Sequence, residues 1–341
     1  MAQVRRFLCF LLLTGSWAYL TALFVWLILH RVAGDQLVTM SLLEFLAVYL
    51  FFPLPLLFII ALLCRSRALG AGILLAALVF TWHWGALFTP RLTPPAARGN
   101  PLSVMTFNVL AWHDFTEPIL ETIRRENADV VFIQELNWNL AQVLEAELGD
   151  IYPYQIFDPI DGPRGIGTIS KYPIRDTGTT LPGHWVGGPQ IMELNWEGHD
   201  VTLVNFHMTS TTGISPRSMV VESLRWREGE AGELLKLGRE RAPAILAGDA
   251  NCTSLSRPYR ILASELIDSW DEAGFGLGHT FPGSAIPGSD RPRLGDWYVP
   301  QWLARIDYVF HTDEWATLSA RLAHIDGVSD HRGVVAILAL K

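Results

Sequence analysis

The sequence predicts an α/β domain, built from two packed sheets flanked by helices, behind an apolar N-terminal region with three membrane-spanning helices. Three observations carry this. The 341-residue chain is 50% hydrophobic, and its longest uncharged runs all lie in the first 90 residues. The last two thirds hold many short β-branched or apolar runs with few, unevenly placed helical stretches between them. Where those runs give way to loops stand Thr106-Phe107-Asn108, Gln134-Glu135, Asn205-Phe206-His207, Gly248-Asp249-Ala250-Asn251, Arg305-Ile306-Asp307-Tyr308 and Ser329-Asp330-His331. Polar groups gathered at strand ends are where an open α/β sheet exposes side chains for a common site.

Phe7 to Leu29 contains no Asp, Glu, Lys or Arg over 23 residues, Leu42 to Cys64 only Glu44, and Ala68 to Phe88 none. Each run is long enough for about 30 Å of hydrocarbon, giving spans at 7–29, 42–64 and 68–88. The first exceeds the ~7–15 residue core of a signal peptide and two more follow it, so it reads as an anchor. Pro53 and Pro55 fall inside the second span and predict a kink. Glu44 lies near enough to that span's end to reach headgroups, and His83, between Trp82 and Trp84, reads as part of an interfacial aromatic belt. Arg5, Arg6, Arg65 and Arg67 against Arg31 alone predict a multi-pass cell-membrane protein with a cytoplasmic N-terminus and an extracytoplasmic domain.

Residues 90–101 are rich in proline and small residues and read as an extended linker. Residues 102–341 suffice for one core. There, strands are expected at Leu102–Phe107, Asp129–Ile133, Gly167–Ser170, Ile191–Asn195, Val201–Phe206, Ala244–Leu246, Ile306–Phe310 and Val334–Leu338. Helices are expected near Glu117–Arg125 and Leu140–Leu148, with a long amphipathic stretch from Pro216 to Leu237. Cys9 and Cys64 fall in spans and Cys252 stands alone in the domain, which excludes a disulfide framework within it. The domain carries 19 Lys and Arg against 32 Asp and Glu, a difference of −13, which disfavours a grip on long nucleic acid.

The ordered set, with Ile133-Gln134-Glu135 and Gly167-Thr168-Ile169-Ser170-Lys171-Tyr172-Pro173-Ile174, resembles the endonuclease/exonuclease/phosphatase superfamily over residues 102–340. The resemblance implies a four-layer α/β sandwich and Mg²⁺-dependent hydrolysis of phosphoesters, with Mn²⁺ as the substitute cation. An anionic phosphoester needs a cation to neutralise developing charge and a base to make hydroxide. Glu135 is the expected principal ligand, Asn108 a neutral oxygen ligand or phosphate donor, and Asp330 joins them. His331 is the candidate general base and Asp307 the carboxylate that fixes its tautomer. By resemblance, Asp249 and Asn251 orient the attacking water and hold a phosphoryl oxygen, and His207 donates to the phosphate or leaving oxygen.

Arg217, Arg225 and Arg227, on or near the amphipathic stretch, are candidates to clamp phosphate. His279 and His311 show no partners in the sequence and read as solvated loop residues. The architecture resembles membrane-anchored bacterial members associated with teicoplanin resistance, which implies a lipid-linked phosphate or diphosphate as substrate, membrane lipids as neighbours and no obligatory protein partner. The competing expectations are an extracytoplasmic nuclease on the same scaffold and a non-catalytic anchored binding domain.

Overall fold

The computed structural model describes residues 2–34, 40, 43–90, 97–112, 114–210, 217–283, 293–294, 297–325 and 327–341, the side chains of 33, 217–221, 293–294 and 297–298 excepted. The chain divides into two compact units, Met1–Thr89 and Pro90–Lys341.

In the first unit, α1 (Ala2–Ala33) and α3 (Arg67–Trp84, continued to Phe88 by a 3₁₀ turn) are long and apolar enough to cross a membrane. The described stretch between them is made of shorter helical pieces. After helical positions at 40 and 43–44 it passes through a 3₁₀ turn, Val48–Phe51, into the ten residues of α2 (Leu54–Leu63). The expected kink is therefore a helix start: Pro53 is the N-cap and Pro55 stands in the first turn, where a missing N–H costs nothing. Ser66 caps α3 by accepting from Leu69 N–H. Cys9 and Cys64 form a disulfide, Cα–Cα 5.6 Å, that ties the start of α1 to the end of α2. Glu44 is buried rather than turned to headgroups, with its Oε1 2.6 Å from His30 Nε2.

The second unit runs β1 (Leu102–Asn108), α4 (Glu117–Glu126), β2 (Val130–Gln134), α5 (Trp138–Leu148), β3 (Tyr154–Asp158), β4 (Ile166–Ser170), β5 (Ile174–Asp176), β6 (Gly187–Trp196) and β7 (His199–His207). It continues with α6 (Arg217–Glu240), β8 (Ala244–Asp249), α7 (Arg257–Leu262), β9 (Ile267–Asp268), α8 (Ser269–Ala273), a two-strand ribbon of β10 (Arg293–Leu294) and β11 (Trp297–Tyr298), β12 (Asp307–His311), β13 (Trp315–Leu322) and β14 (Val334–Leu340). Two mixed six-stranded sheets result, ordered β13-β14-β1-β2-β4-β3 and β5-β6-β7-β8-β12-β9. They pack face to face, with β1 and β2 against β7 and β8.

On the outer face of the first sheet, Ile119, Leu120 and Ile123 of α4 and Leu140, Leu144 and Leu148 of α5 join Met105, Phe107, Val131 and Ile133. On the second sheet, Ala231, Leu234 and Leu237 of α6 join Val204, Phe206, Leu246 and Phe310. Each fully buried side chain of this size stabilises the fold by about 1.5–3 kcal/mol. The interface between the sheets is partly polar and saturated. Thr106 Oγ1 donates to Gln134 Oε1 (3.2 Å), Gln134 Nε2 to Asn205 Oδ1 (2.7 Å) and Asn205 Nδ2 to the Gly167 carbonyl (2.8 Å). These bonds fix how β2 and β4 sit over β7, and therefore how the ends of the two sheets meet.

Candidate active site

Strand register assembles the site. In the first sheet Asn108 pairs with Gln134 across parallel β1 and β2, so Glu135, the next residue, emerges beside Asn108. In the second, Asp249 pairs with His207 on one side and Asp307 on the other. Gly248 allows this spacing, since a Cβ there would collide with the Phe206 carbonyl of the neighbouring strand.

Three residues around the site hold a left-handed backbone without being glycine: Leu110 (φ 58°), Glu135 (φ 62°) and Asn251 (φ 49°). Such conformations cost about 1–3 kcal/mol each and persist where surrounding bonds over-determine them. Here they do. Leu110 N–H donates to Asn108 Oδ1 (3.1 Å), and Leu136 N–H donates to the Gly165 carbonyl (3.1 Å). Asn251 N–H donates to Asp249 Oδ1 (2.8 Å), while Asn251 Nδ2 donates to the Met208 carbonyl (3.0 Å).

Asn108 Nδ2 donates to Glu135 Oε1 and to Asp249 Oδ2, both at 3.1 Å, and Ala111 N–H donates to Glu135 Oε2 (3.1 Å). Because the Asn108 oxygen is taken by Leu110, its amide separates two carboxylates through its nitrogen. The donor half of the expectation for Asn108 is thus the arrangement seen here. His331 Nδ1 lies 2.9 Å from Asp307 Oδ2, its Nε2 is 3.7 Å from Asp249 Oδ2 and 3.9 Å from Asp330 Oδ1, and Phe281 packs on its ring. Ser329 donates to the Asn108 carbonyl (2.7 Å) and accepts from His331 N–H (2.9 Å), joining β1 to the His331 loop.

Burial and the nearby Asp330 push the Glu135 carboxyl up. Burial, helped by Asp307 and opposed by His331, pushes Asp249 up to about 7. Burial works against charge on His331 too, but Asp307, Asp249 and Asp330 outweigh it and raise the imidazole well above its ordinary range. His207 goes the other way, down to about 3, through burial and the His331 charge. Its 3.5 Å approach to Asp249 is therefore a neutral contact rather than an ion pair, and its buried Nδ1 has no hydrogen-bond partner. Four carboxylates thus face one cationic imidazole. A dication held by hard oxygens is the group that relieves this excess, and Asp249, Asp307 and His331 alone bring three ligand atoms within 4.8 Å of one another.

The fold brings together Asn108, Glu135, His207, Asp249, Asn251, Asp307, Asp330 and His331. It treats the three arginines differently. The Arg217 side chain lies outside the described residues, as does much of the Gly276–Asp296 loop, and Arg225 is exposed on α6. Arg227 is 3% exposed and donates to the Asn251 carbonyl, which makes it a brace for the Asn251 turn rather than an open phosphate clamp. His311 is fully buried between Glu272 and Thr317, and His279 Nδ1 is 2.7 Å from the Trp302 carbonyl, so neither is a solvated loop residue. Sequence reasoning missed Thr280, whose hydroxyl accepts from Ile306 N–H (3.1 Å) behind Asp307, and Phe281; nothing in their local pattern marks them.

Residues 105–331 match the profile of the Endonuclease/Exonuclease/phosphatase family. Among solved structures the chain is similar to an endonuclease/exonuclease/phosphatase from Bacteroides vulgatus, at 19% identity and TM-score 0.54, covering 71% of this chain and 100% of that one. It is similar to another from Beutenbergia cavernae, at 22% identity and TM-score 0.51, over 71% and 72% of the two chains. A third likeness is D. rerio TDP2 complexed with single-strand DNA product, at 18% identity and TM-score 0.52, over 70% and 99%. At these identities the likeness shows the fold. No curated protein matches the sequence.

Proposed function

The chain belongs to the endonuclease/exonuclease/phosphatase family and is a metal-dependent hydrolase of phosphate esters, and from that premise we propose a membrane-tethered, Mg²⁺-dependent phosphoesterase acting on a lipid-linked phosphate. The observation that carries the substrate class is the pairing of two units of opposite character. The first exposes Phe7, Phe10, Leu74 and Leu78 along helices long enough to span a bilayer. The second is an acidic catalytic domain, poorly suited to a polyanion. A catalytic domain held at a bilayer meets headgroup phosphates at high effective concentration.

Glu135 and Asp330 would hold the cation, which supplies charge neutralisation at the phosphoryl oxygens. Asn108 keeps Glu135 and Asp249 at a fixed separation by donating to both. Asp307 accepts from His331 Nδ1 and so leaves Nε2 pointing at Asp249. A water held by Asp249 Oδ2 and the His331 imidazolium gives its proton to the Asp249 carboxylate as its oxygen attacks phosphorus; the phosphorus–oxygen bond to the leaving group breaks, and the leaving oxygen takes a proton from solvent water. Asn251 and neutral His207 donate to the phosphoryl oxygens, roles that leave both uncharged. The arginines of the first unit favour a cytoplasmic N-terminus and an extracytoplasmic domain.

The test is Mg²⁺-dependent phosphate release from a detergent-solubilised prenyl diphosphate, with plasmid DNA in parallel, for wild type, Glu135→Ala and His331→Ala. Lipid turnover lost in both variants is expected. DNA nicking without lipid turnover would replace this reading with a nuclease.

A further inference from the structure

Three loops meet beside Glu135, and each carries a large apolar side chain turned to solvent. Trp112 follows β1 and is 64% exposed, with Phe115 in the same loop at 55%; Trp138 opens α5 at 54%; Ile160 follows β3 at 39%. The loops are stitched to one another and to the catalytic carboxylate. Ala111 N–H donates to Glu135 Oε2, and the Ala111 carbonyl accepts from Asn137 Nδ2 (3.0 Å). Asn137 is also the N-cap of α5, accepting from Leu140 N–H (2.8 Å), which fixes Trp138 next to it. Ile160 N–H donates to the Leu136 carbonyl (3.1 Å), and Gly162 lies under the Trp112 ring, where a Cβ would sit 3.4 Å from the indole.

Exposed indoles have a cost. A hydrolase of small, water-soluble phosphates gains nothing from them beside its metal ligand, whereas an amphiphilic substrate has an apolar part to cover as well as a phosphate to cleave. Asp114, between Trp112 and Phe115, and Asp161, after Ile160, border this rim, while the residues that join its members, Ala111, Leu136 and Asn137, are neutral. We infer that Trp112, Trp138 and Ile160 form an acceptor for the apolar tail of the substrate, holding its first carbons while the phosphate lies at Glu135. This rests on the lipid-phosphate reading above and adds to it where the tail goes and which residues set preference for it.

The experiment compares the full-length protein with Trp112→Ser, Trp138→Ser and the double variant, using a long-chain prenyl phosphate and a water-soluble short-chain alkyl phosphate of the same headgroup, both in detergent. The expected result is a rise of about tenfold or more in KM for the long-chain substrate in the double variant, with kcat/KM for the short-chain one unchanged. Equal effects on both substrates, or on neither, would overturn the inference. So would a defect seen with vesicles but absent in detergent, which would make the rim an adsorption surface. A wild type that cleaves the short chain and never the long one would remove the lipid reading itself, separately from the role of the rim.

Discussion

Two clusters of carboxylates flank β12, and they are neutralised in different ways. At one, Arg305 donates to Asp268 (2.5 Å) and Asp271 (3.0 Å), Tyr259 Oη lies 2.9 Å from an oxygen of each and shares its one proton between them, and the guanidinium lies 4.7 Å from the Tyr308 ring. Burial raises the Asp268 carboxyl, but the permanent cation beside it counters that, and every acceptor named has a donor. At the other, two residues along the chain, Asp307, Asp249, Glu135 and Asp330 share one imidazolium and a neutral histidine. Both look alike as acidic patches. The first is closed by the protein's own charge, and the second is complete only with a cation from outside.

The largest effect that tests this contrast is catalytic. Glu135→Gln keeps the size but removes the charge and one of the two acceptors that serve Asn108 Nδ2 and Ala111 N–H, and hydrolysis is expected to fall by about 10³-fold, with Mg²⁺ binding by calorimetry lost in parallel. His331→Ala should lower activity by about 10²–10⁴-fold while leaving Mg²⁺ binding in place. If Glu135→Gln still binds Mg²⁺ as tightly as wild type, the second cluster is no more open than the first.

Stability should move in opposite directions at the two clusters. Arg305→Met strands Asp268, which is 4% exposed, and should destabilise the domain by roughly 3–5 kcal/mol in denaturant titrations. Asp330→Asn in metal-free protein removes one of the repelling charges and should stabilise it by roughly 0.5–2 kcal/mol, a gain reversed when Mg²⁺ is added to the wild type. Destabilisation by both would mean that the open cluster is satisfied as it stands.

The sequence made the open cluster legible because its members border apolar runs: Asn108, Glu135 and Asp249 end them, Asp307 opens one, and Asp330 and His331 stand shortly before another. The closed cluster was not legible, since Asp268 and Asp271 lie on a two-residue strand and a five-residue helix that no periodicity can reveal. β13 escaped for a related reason: a bulge between Thr317 and Ser319 breaks its alternation. β3 escaped because its side chains are only partly covered, and the Arg227 brace because a charge on a helix gives no sign of being buried. Proline was read as a kink in the second apolar run because its position relative to the first helical turn depends on where the helix starts.

The smallest effect separates carboxylates that need a cation from one that the fold satisfies without any. Burial alone would push Glu272 up, but donors at His311 Nε2 (3.1 Å) and Thr317 N–H (2.8 Å), with the Thr317 hydroxyl, hold it down at about 2. A carboxyl whose folded value lies below its ordinary 4.5 binds fewer protons in the native state than in the unfolded one. Its stabilisation is therefore full above about pH 4.5 and disappears as pH falls toward 2. The Glu272 side chain is 25% exposed to solvent, so screening keeps the contribution modest. Glu272→Gln should flatten the acid limb of the stability curve between pH 5 and pH 2 (the window set by those two values) and leave Mg²⁺-dependent turnover at neutral pH unchanged. An unaltered acid limb would show that His311 and Thr317 do not favour the charged form, and a loss of turnover would show that this part of β12 reaches the catalytic end of the strand.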